Sequence, residues 1–187
     1  MTKSPQKVED SWPRWLRIWF WTQLIVLTFD QSFVLLRPHS FPDGVLGFLY
    51  PAFQKYMEID TVYADMTISY GYAQSCMGVL ENILLSIAMF VLHPREQATH
   101  TDKRLARPSD LLALCVASTQ FGKSLFYWGN DMFDGFSHVA HNDTATLIKF
   151  YILPNLIWFI GPLFVFYHLG RKIVYTMQVA QQTQKQK

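Results

Sequence analysis

A bundle of membrane-crossing α-helices is the fold class this sequence predicts, and three observations predict it. Half of the 187 residues are hydrophobic, with a heavy aromatic load of 15 Phe, 9 Tyr and 6 Trp. Only 16% are charged, against about 25% in an ordinary soluble domain. The charges are gathered into a few segments, which leaves four long runs nearly free of them. A membrane span needs about 20 mostly apolar residues. The expected fold is therefore an all-α integral membrane protein, a bundle of four transmembrane helices at about 15–36, 70–92, 111–128 and 145–169, with both termini cytosolic. The membrane domain covers 15–178, between a cytosolic flank at 1–14 and a cytosolic tail at 179–187.

The N-terminal residues 1–13 are polar, and the run from Trp15 to Leu36 is too long and too aromatic for the short apolar core of a cleavable signal. The first connection, Arg37 to Ser69, is long enough to have structure of its own. Its stretch YPAFQKYMEIDTVYAD places Tyr50, Phe53, Tyr56 and Met57 so that they form a short amphipathic helix on the membrane surface. We expect this helix to be a lid over the lumenal mouth. The second helix runs from Tyr70 to Leu92. The third follows Pro108, with Ser109 and Asp110 as its cap. It is short and carries Gln120 and Lys123. Pro154 predicts a kink in the fourth, and Gly161-Pro162 a second loosening.

Orientation follows from the basic residues near the helix ends. Lys3, Lys7, Arg14 and Arg17 flank the start of the first helix. Arg95, Lys103, Arg104 and Arg107 fill the second connection, and Arg171, Lys172, Lys185 and Lys187 follow the fourth helix. The third connection, NDMFDGFSHVAHND, has acids and no Lys or Arg. The termini and the second connection are expected in the cytosol, and the first and third connections in the lumen.

The net charge is only +2, so a nucleic-acid partner has no electrostatic support. Cys76 and Cys115 lie inside apolar runs and read as buried free thiols. No metal-ligand spacing, phosphate-binding glycine loop or nucleophile elbow is present, so neither a metal nor a cofactor is expected. His93, His100, His138 and His141 fall in expected loops. Asn142-Asp143-Thr144 is a formal glycosylation acceptor very close to the fourth helix. No GxxxG helix-dimer motif occurs, which weakens a purely structural role and leaves a homodimer open.

Ionisable residues inside spans are costly and by default functional. Asp30, Glu81 and Lys123 are the three cases here. Gln23 lies seven residues before Asp30, and Gln74 seven before Glu81, so each pair shares a helix stripe. Asn155 and Trp158, three residues apart, share a face of the fourth helix. An unpaired amide in hydrocarbon costs several kcal/mol, about the price of a lost hydrogen bond and more, so Asn155 must face protein, ligand or water. One reading of these groups is structural: Asn155 as glue between helices, Trp158 as packing, and Lys123 paired with Asp30 or Glu81. The other is a reactive pocket. An apolar pocket favours the neutral form of a carboxyl, because the charged form loses hydration. A neutral acid can protonate an alkene or an epoxide. The face of Trp158, the amide of Asn155 and the π surface of Phe126, Tyr127 and Trp128 would stabilise the resulting cation. A second carboxylate would remove a proton from a neighbouring carbon. Asp30, Glu81, Asn155 and Trp158 are thus the candidate catalytic residues. Gln23, Gln74, Tyr56, Tyr63, Gln120, Lys123, Tyr127 and Trp128 are the candidate substrate contacts.

The stretch FGKSLFYW...FDGFSHV...KFYILPNLIWFIGP resembles the last two helices of the emopamil-binding protein family, the sterol Δ8-Δ7 isomerases and their sigma-2 receptor relatives, which share the EXPERA domain. The DGF-x-H turn at Asp134 to His138 and the N-x-x-W pair at Asn155 and Trp158 carry the likeness. QKYMEIDTVY at 54–63 is similar to the family's lumenal segment. The resemblance implies an endoplasmic-reticulum bundle with a membrane cavity for a sterol-like or cationic amphiphilic ligand, surrounded by membrane lipid. Asp30 matches the family's first acid, with Asp in place of Glu. Val26 stands where the family has a histidine, and Gln74 where it has the second acid, with Glu81 as a substitute two turns on. The sterol isomerases also have one more helix at the front.

These departures turn the expectation from ordinary sterol isomerisation to a cofactor-independent isomerase or cyclase. Its substrate is a lipophilic terpenoid or prenylated small molecule of specialised metabolism, such as an epoxide on a prenyl chain in fungal alkaloid or meroterpenoid pathways. Sterol double-bond migration is the near alternative. Non-catalytic binding of a sterol or lipophilic amine, as in the sigma-2 relatives, is the alternative of another class.

Overall fold

The computed structural model describes residues 12–97 and 106–185, and all regular structure among them is helical. Lys3, Lys7, His100, Lys103, Arg104 and Lys187 lie outside the described residues. α1 (Arg14–Leu35) starts after the extended Pro13 and stops shortly before Pro38, which cannot continue a helix. α2 (Pro51–Ile59) is the short amphipathic helix expected in the first connection, started by a proline at a position where its missing N–H costs nothing. α3 (Ser69–Ser86) continues through a wide π-helical turn, Ile87–Leu92, into His93–Gln97. α4 is Pro108–Phe133, and α5 runs without a break from Thr144 to Lys185.

Three of these helices are long and apolar enough to cross a membrane: Arg14–Leu35, Ser69–Arg95 and Thr144–Lys185. α4, the expected third span, is longer than its apolar run suggests, 26 residues. Its Gln120, Lys123, Ser and Thr residues keep it out of the strongly apolar group. The outer surface is greasy, and the inside holds polar side chains as well as an apolar core. Ile25, Phe29 and Phe164 are more than half exposed, whereas Gln23, Gln31, Glu81 and Gln120 are buried. Large exposed apolar surface together with buried polar groups departs from the pattern of a protein folded in water. In lipid, polar side chains turn inward because only other protein groups can satisfy them.

α1 lies along α3, α4 along α5, and α3 packs on α4. One end of the bundle is solid. Trp12, Leu16, Phe20, Leu85, Met89, Val116, Val165 and Leu169, from α1, α3, α4 and α5, form one core there. Trp12 Nε1 donates to Asp110 Oδ1 at 2.7 Å, and Lys172 Nζ reaches Asp110 Oδ2 at 2.5 Å. This buried carboxylate ties Trp12, just ahead of α1, the head of α4 and the late part of α5 to one end. The other end is built on the connections. Phe33 and Val34 of α1 pack with Tyr50, Phe53, Met57 and Tyr63.

Several expectations need correction. Ser109 is not the cap of α4. Arg107 is the cap residue, and Asp110 accepts its backbone N–H at 3.0 Å from the third helical position. Cys76 and Cys115 are free but exposed, because an apolar run in a membrane helix does not say which face looks outward. His93 begins a helical segment and stacks on Trp12 at 4.0 Å. The chain after Leu169 is helical as far as Lys185, well into the expected tail. Gly161-Pro162 does not interrupt α5. Instead the Trp19 indole occupies the space a Cβ at Gly161 would need. The widening falls at Leu147–Ile152, one step before Pro154. Pro154 has no N–H to give to the carbonyl four residues back, and a π turn absorbs the mismatch.

Candidate functional site

Toward the end formed by the connections, the helices splay around a cavity of about 350 Å³. It is built from five segments. α1 contributes Asp30 and Gln31; the first connection contributes Phe53, Tyr56 and Tyr63. α3 contributes Gln74, α4 contributes Gln120, Lys123 and Tyr127, and α5 contributes Asn155 and Trp158. Nine of the twelve expected site residues therefore line one space. Gln23, Glu81 and Trp128 do not. Gln23 is buried between helices. Trp128 is turned against Phe159, with ring centroids 6.3 Å apart.

Glu81 lies behind the wall. Its Oε2 is 2.7 Å from Lys123 Nζ, and the carboxylate is almost fully buried. Of the two pairings open to Lys123, the fold makes the one with Glu81. A carboxylate held by an ammonium is a counter-ion and has no proton to give, so the geometry does not favour Glu81 as the donor.

Asp30 is arranged differently. Its Oδ1 accepts from the Tyr63 hydroxyl at 2.6 Å. Tyr63 ends a short 3-10 turn, Thr61–Tyr63, and Asp60 caps the start of that turn by accepting from Val62 N at 3.1 Å. Arg37 holds the turn from below, donating to the carbonyl oxygens of Val62 at 2.9 Å and Tyr63 at 3.1 Å. Burial, together with the nearby Asp30 carboxyl, pushes the Tyr63 phenol up, so it stays a hydrogen-bond donor. Tyr56 packs edge-on against Tyr63 at 4.8 Å, and burial and the Asp60 and Asp30 carboxyls push its phenol up as well.

The opposite wall holds the amide and the indole. Asn155 Nδ2 donates to Tyr151 O at 2.8 Å, one helical turn back, and the amide lines the cavity together with Tyr56. Trp158 leans on Trp19 with ring centroids 5.5 Å apart. Ser124 of α4 donates to Trp158 O at 3.3 Å and so joins α4 to α5 beside the cavity.

Sequence reasoning missed Asp60. It is wholly buried although it sits in a loop. Tyr127 donates its hydroxyl to Oδ2. The third connection covers Asp60 from outside: Thr61 N donates to His138 O at 3.2 Å, and Asn142 Nδ2 donates to Ile59 O at 2.8 Å. That segment turns through two left-handed residues, Gly135 at φ 65° and Phe136 at φ 58°. Glycine adopts this region without a steric penalty. Burial pushes the Asp60 carboxyl up to about 6; the Tyr127 hydroxyl opposes this and the Asp131 carboxylate adds to it. The signal for Asp60 was available in YMEIDTVY, where Tyr56 and Tyr63 flank it at helical spacing.

Among the described residues, no group of three His, Cys, Asp or Glu side chains is placed to hold a metal ion. The wall supplies one carboxyl with a phenol partner, one ammonium already paired, and aromatic faces with an amide opposite. Such a space can give a proton to an apolar ligand and cradle a cation. No family model, curated protein or solved structure matches this chain.

Proposed function

We propose that this chain is a multi-pass protein of the endoplasmic-reticulum membrane in which α1, α3, α4 and α5 all span. Its function is acid-catalysed isomerisation or cyclisation of a lipophilic terpenoid or prenylated substrate. The placement of charge supports the topology. Arg14, Arg17, Arg95, Arg107, Arg171 and Lys172 belong to the end tied by Asp110, and Asp60, Asp65, Asp134 and Asp143 to the other. Positive charge marks the cytosolic side.

One observation carries the chemistry. Asp30 stands in an aromatic cavity wall with a phenol as its partner at 2.6 Å, while Lys123 is held by Glu81. In the proposed reaction Asp30 gives its proton to an epoxide oxygen, or to one carbon of an alkene. The C–O bond breaks, or the π bond is spent, and a tertiary cation forms. The Trp158 face and the Asn155 amide stabilise that cation. Loss of a proton from an adjacent carbon completes a rearrangement with no net change in composition. The resemblance to the emopamil-binding family supports the same chemistry, with sterol double-bond migration as the nearest variant.

The same wall favours one other reading. A carboxylate among Phe53, Tyr56, Tyr63, Tyr127 and Trp158 also suits an ammonium, which would make the chain a binding protein for lipophilic amines or sterols.

The test is a microsome assay in a host lacking its own sterol isomerase. Δ8-sterols and, separately, prenyl epoxides are supplied, and products are read by mass spectrometry against Asp30→Asn. Conversion that disappears in the variant is the expected result. No conversion of either substrate, with saturable binding of a lipophilic amine, would replace the isomerase with the binding protein.

A further inference from the structure

An isomerisation driven by a proton must remove one from the substrate as well as add one. The pairing of Glu81 with Lys123 leaves the site without the second acid that the sequence suggested for that step. A replacement lies at the far end of the turn that carries Tyr63. Asp60 is wholly buried. Its Oδ1 accepts from Val62 N at 3.1 Å, which fixes the carboxylate, and Oδ2 accepts the Tyr127 hydroxyl. Tyr127 lines the same cavity as Asp30. The space is therefore flanked by two carboxyl–phenol pairs, Asp30 with Tyr63 and Asp60 with Tyr127. In the first pair both members line the cavity. In the second only the phenol does.

Resting on the isomerase reading, we propose that Tyr127 is the catalytic residue that takes the proton off the substrate, and that Asp60 is the positioning residue behind it. As a C–H bond next to the cation breaks, its electron pair forms the new C=C bond and its proton goes to the Tyr127 oxygen. The phenol's own proton passes to Asp60 Oδ2. Asp60 ends neutral and Asp30 ionised. One proton moving back across the phenols of Tyr127, Tyr56 and Tyr63, which line the cavity together, restores the start. Neither solvent nor a co-reactant is consumed.

The surroundings of Asp60 suit an acceptor that works near neutral pH. Burial raises its carboxyl to about 6, the Tyr127 hydroxyl and His138 pull it down, and Asp131 pushes it up. Tyr56, Tyr63 and Tyr151 are the other titratable groups that face it. Above that value Asp60 is ionised and can receive a proton. Below it the relay is blocked.

The experiment is a pH–rate profile in the same microsome assay for the full chain, Asp60→Asn, Asp60→Glu, Tyr127→Phe and Asp30→Asn. The wild type is expected to lose turnover as the pH falls through about 6. Tyr127→Phe and Asp60→Asn should each lower kcat about 10²-fold with KM little changed, in line with general acid–base catalysis, and should lose that acid limb. Asp60→Glu should recover part of both. Tyr127→Phe keeps the bulk of the ring, so it decides the matter if Asp60→Asn fails to fold. Full kcat and an unchanged acid limb in Tyr127→Phe, with Asp30→Asn inactive, would overturn the relay and leave the isomerase standing. A wild type that converts neither substrate class would overturn both.

Discussion

Asp30 and Glu81 are both acids inside helices long and apolar enough to cross a membrane, yet the fold gives them opposite partners. Asp30 meets a phenol in a cavity wall; Glu81 meets an ammonium behind it. In the proposed reaction, the difference separates a reactive acid from a structural one within the same helical bundle. A phenol hydrogen bond orients a carboxyl and leaves its proton exchangeable. An ammonium fixes the carboxylate in its charged form, and the pair then serves to lock α3 to α4. Burial alone does not distinguish the two roles, and the partner does.

The contrast is broken most directly at Asp30. Asp30→Asn keeps an acceptor for Tyr63 and should cost little stability, but it removes the proposed proton donor. Turnover should fall by about 10²–10⁴-fold, the usual worth of a general acid, as read by product formation in microsomes. Glu81→Gln should do the reverse. It leaves Lys123 without its counter-ion, which costs about 3–5 kcal/mol for a buried pair and is read as a lower unfolding temperature in detergent. Turnover per folded molecule should change little.

A third test uses the acid that titrates outside the spans. Asp60 is raised to about 6 in the fold from 3.8. A carboxyl raised in the folded state contributes stability that is fully present below its unfolded value and is lost as the pH rises through its folded value. The shift corresponds to about 3 kcal/mol. The wild type should therefore lose stability relative to Asp60→Asn between about pH 4 and pH 7, measured as the difference in their unfolding temperatures. A constant difference would show that Asp60 is not a raised acid. The smaller effects belong to the cation cradle and the phenol. Trp158→Ala should cost turnover about 30-fold, corresponding to about 2 kcal/mol for a desolvated cation–π contact. Tyr63→Phe should cost about 1 kcal/mol of stability, the usual net worth of one hydrogen bond.

Much of this was legible in the chain. The apolar runs located α1 to within one residue at each end, because a span is dictated by length and composition alone. Asn155, Trp158 and Asp30 could be singled out because each is expensive in hydrocarbon. The partner of Lys123 could not be read, since it depends on how α3 and α4 rotate against each other. Asp60 was passed over because acids in loops are usually solvated, and the contacts that His138, Asn142 and Tyr127 make at its turn cross long stretches of sequence. The extension of α5 beyond Leu169 was also hidden. Its apolar run ends there, but Arg171, Lys172, Met177 and Gln178 are good helix formers, and no proline follows to stop the helix.

The most direct test of the contrast is to assay Asp30→Asn and Glu81→Gln side by side in microsomes, scaling product to folded protein. Asp30→Asn should be inactive, and Glu81→Gln should convert substrate within about 10-fold of the wild type, short of the usual loss of a general acid. Retained conversion in Asp30→Asn with loss in Glu81→Gln would place the proton donor on α3 and contradict the assignment of Asp30.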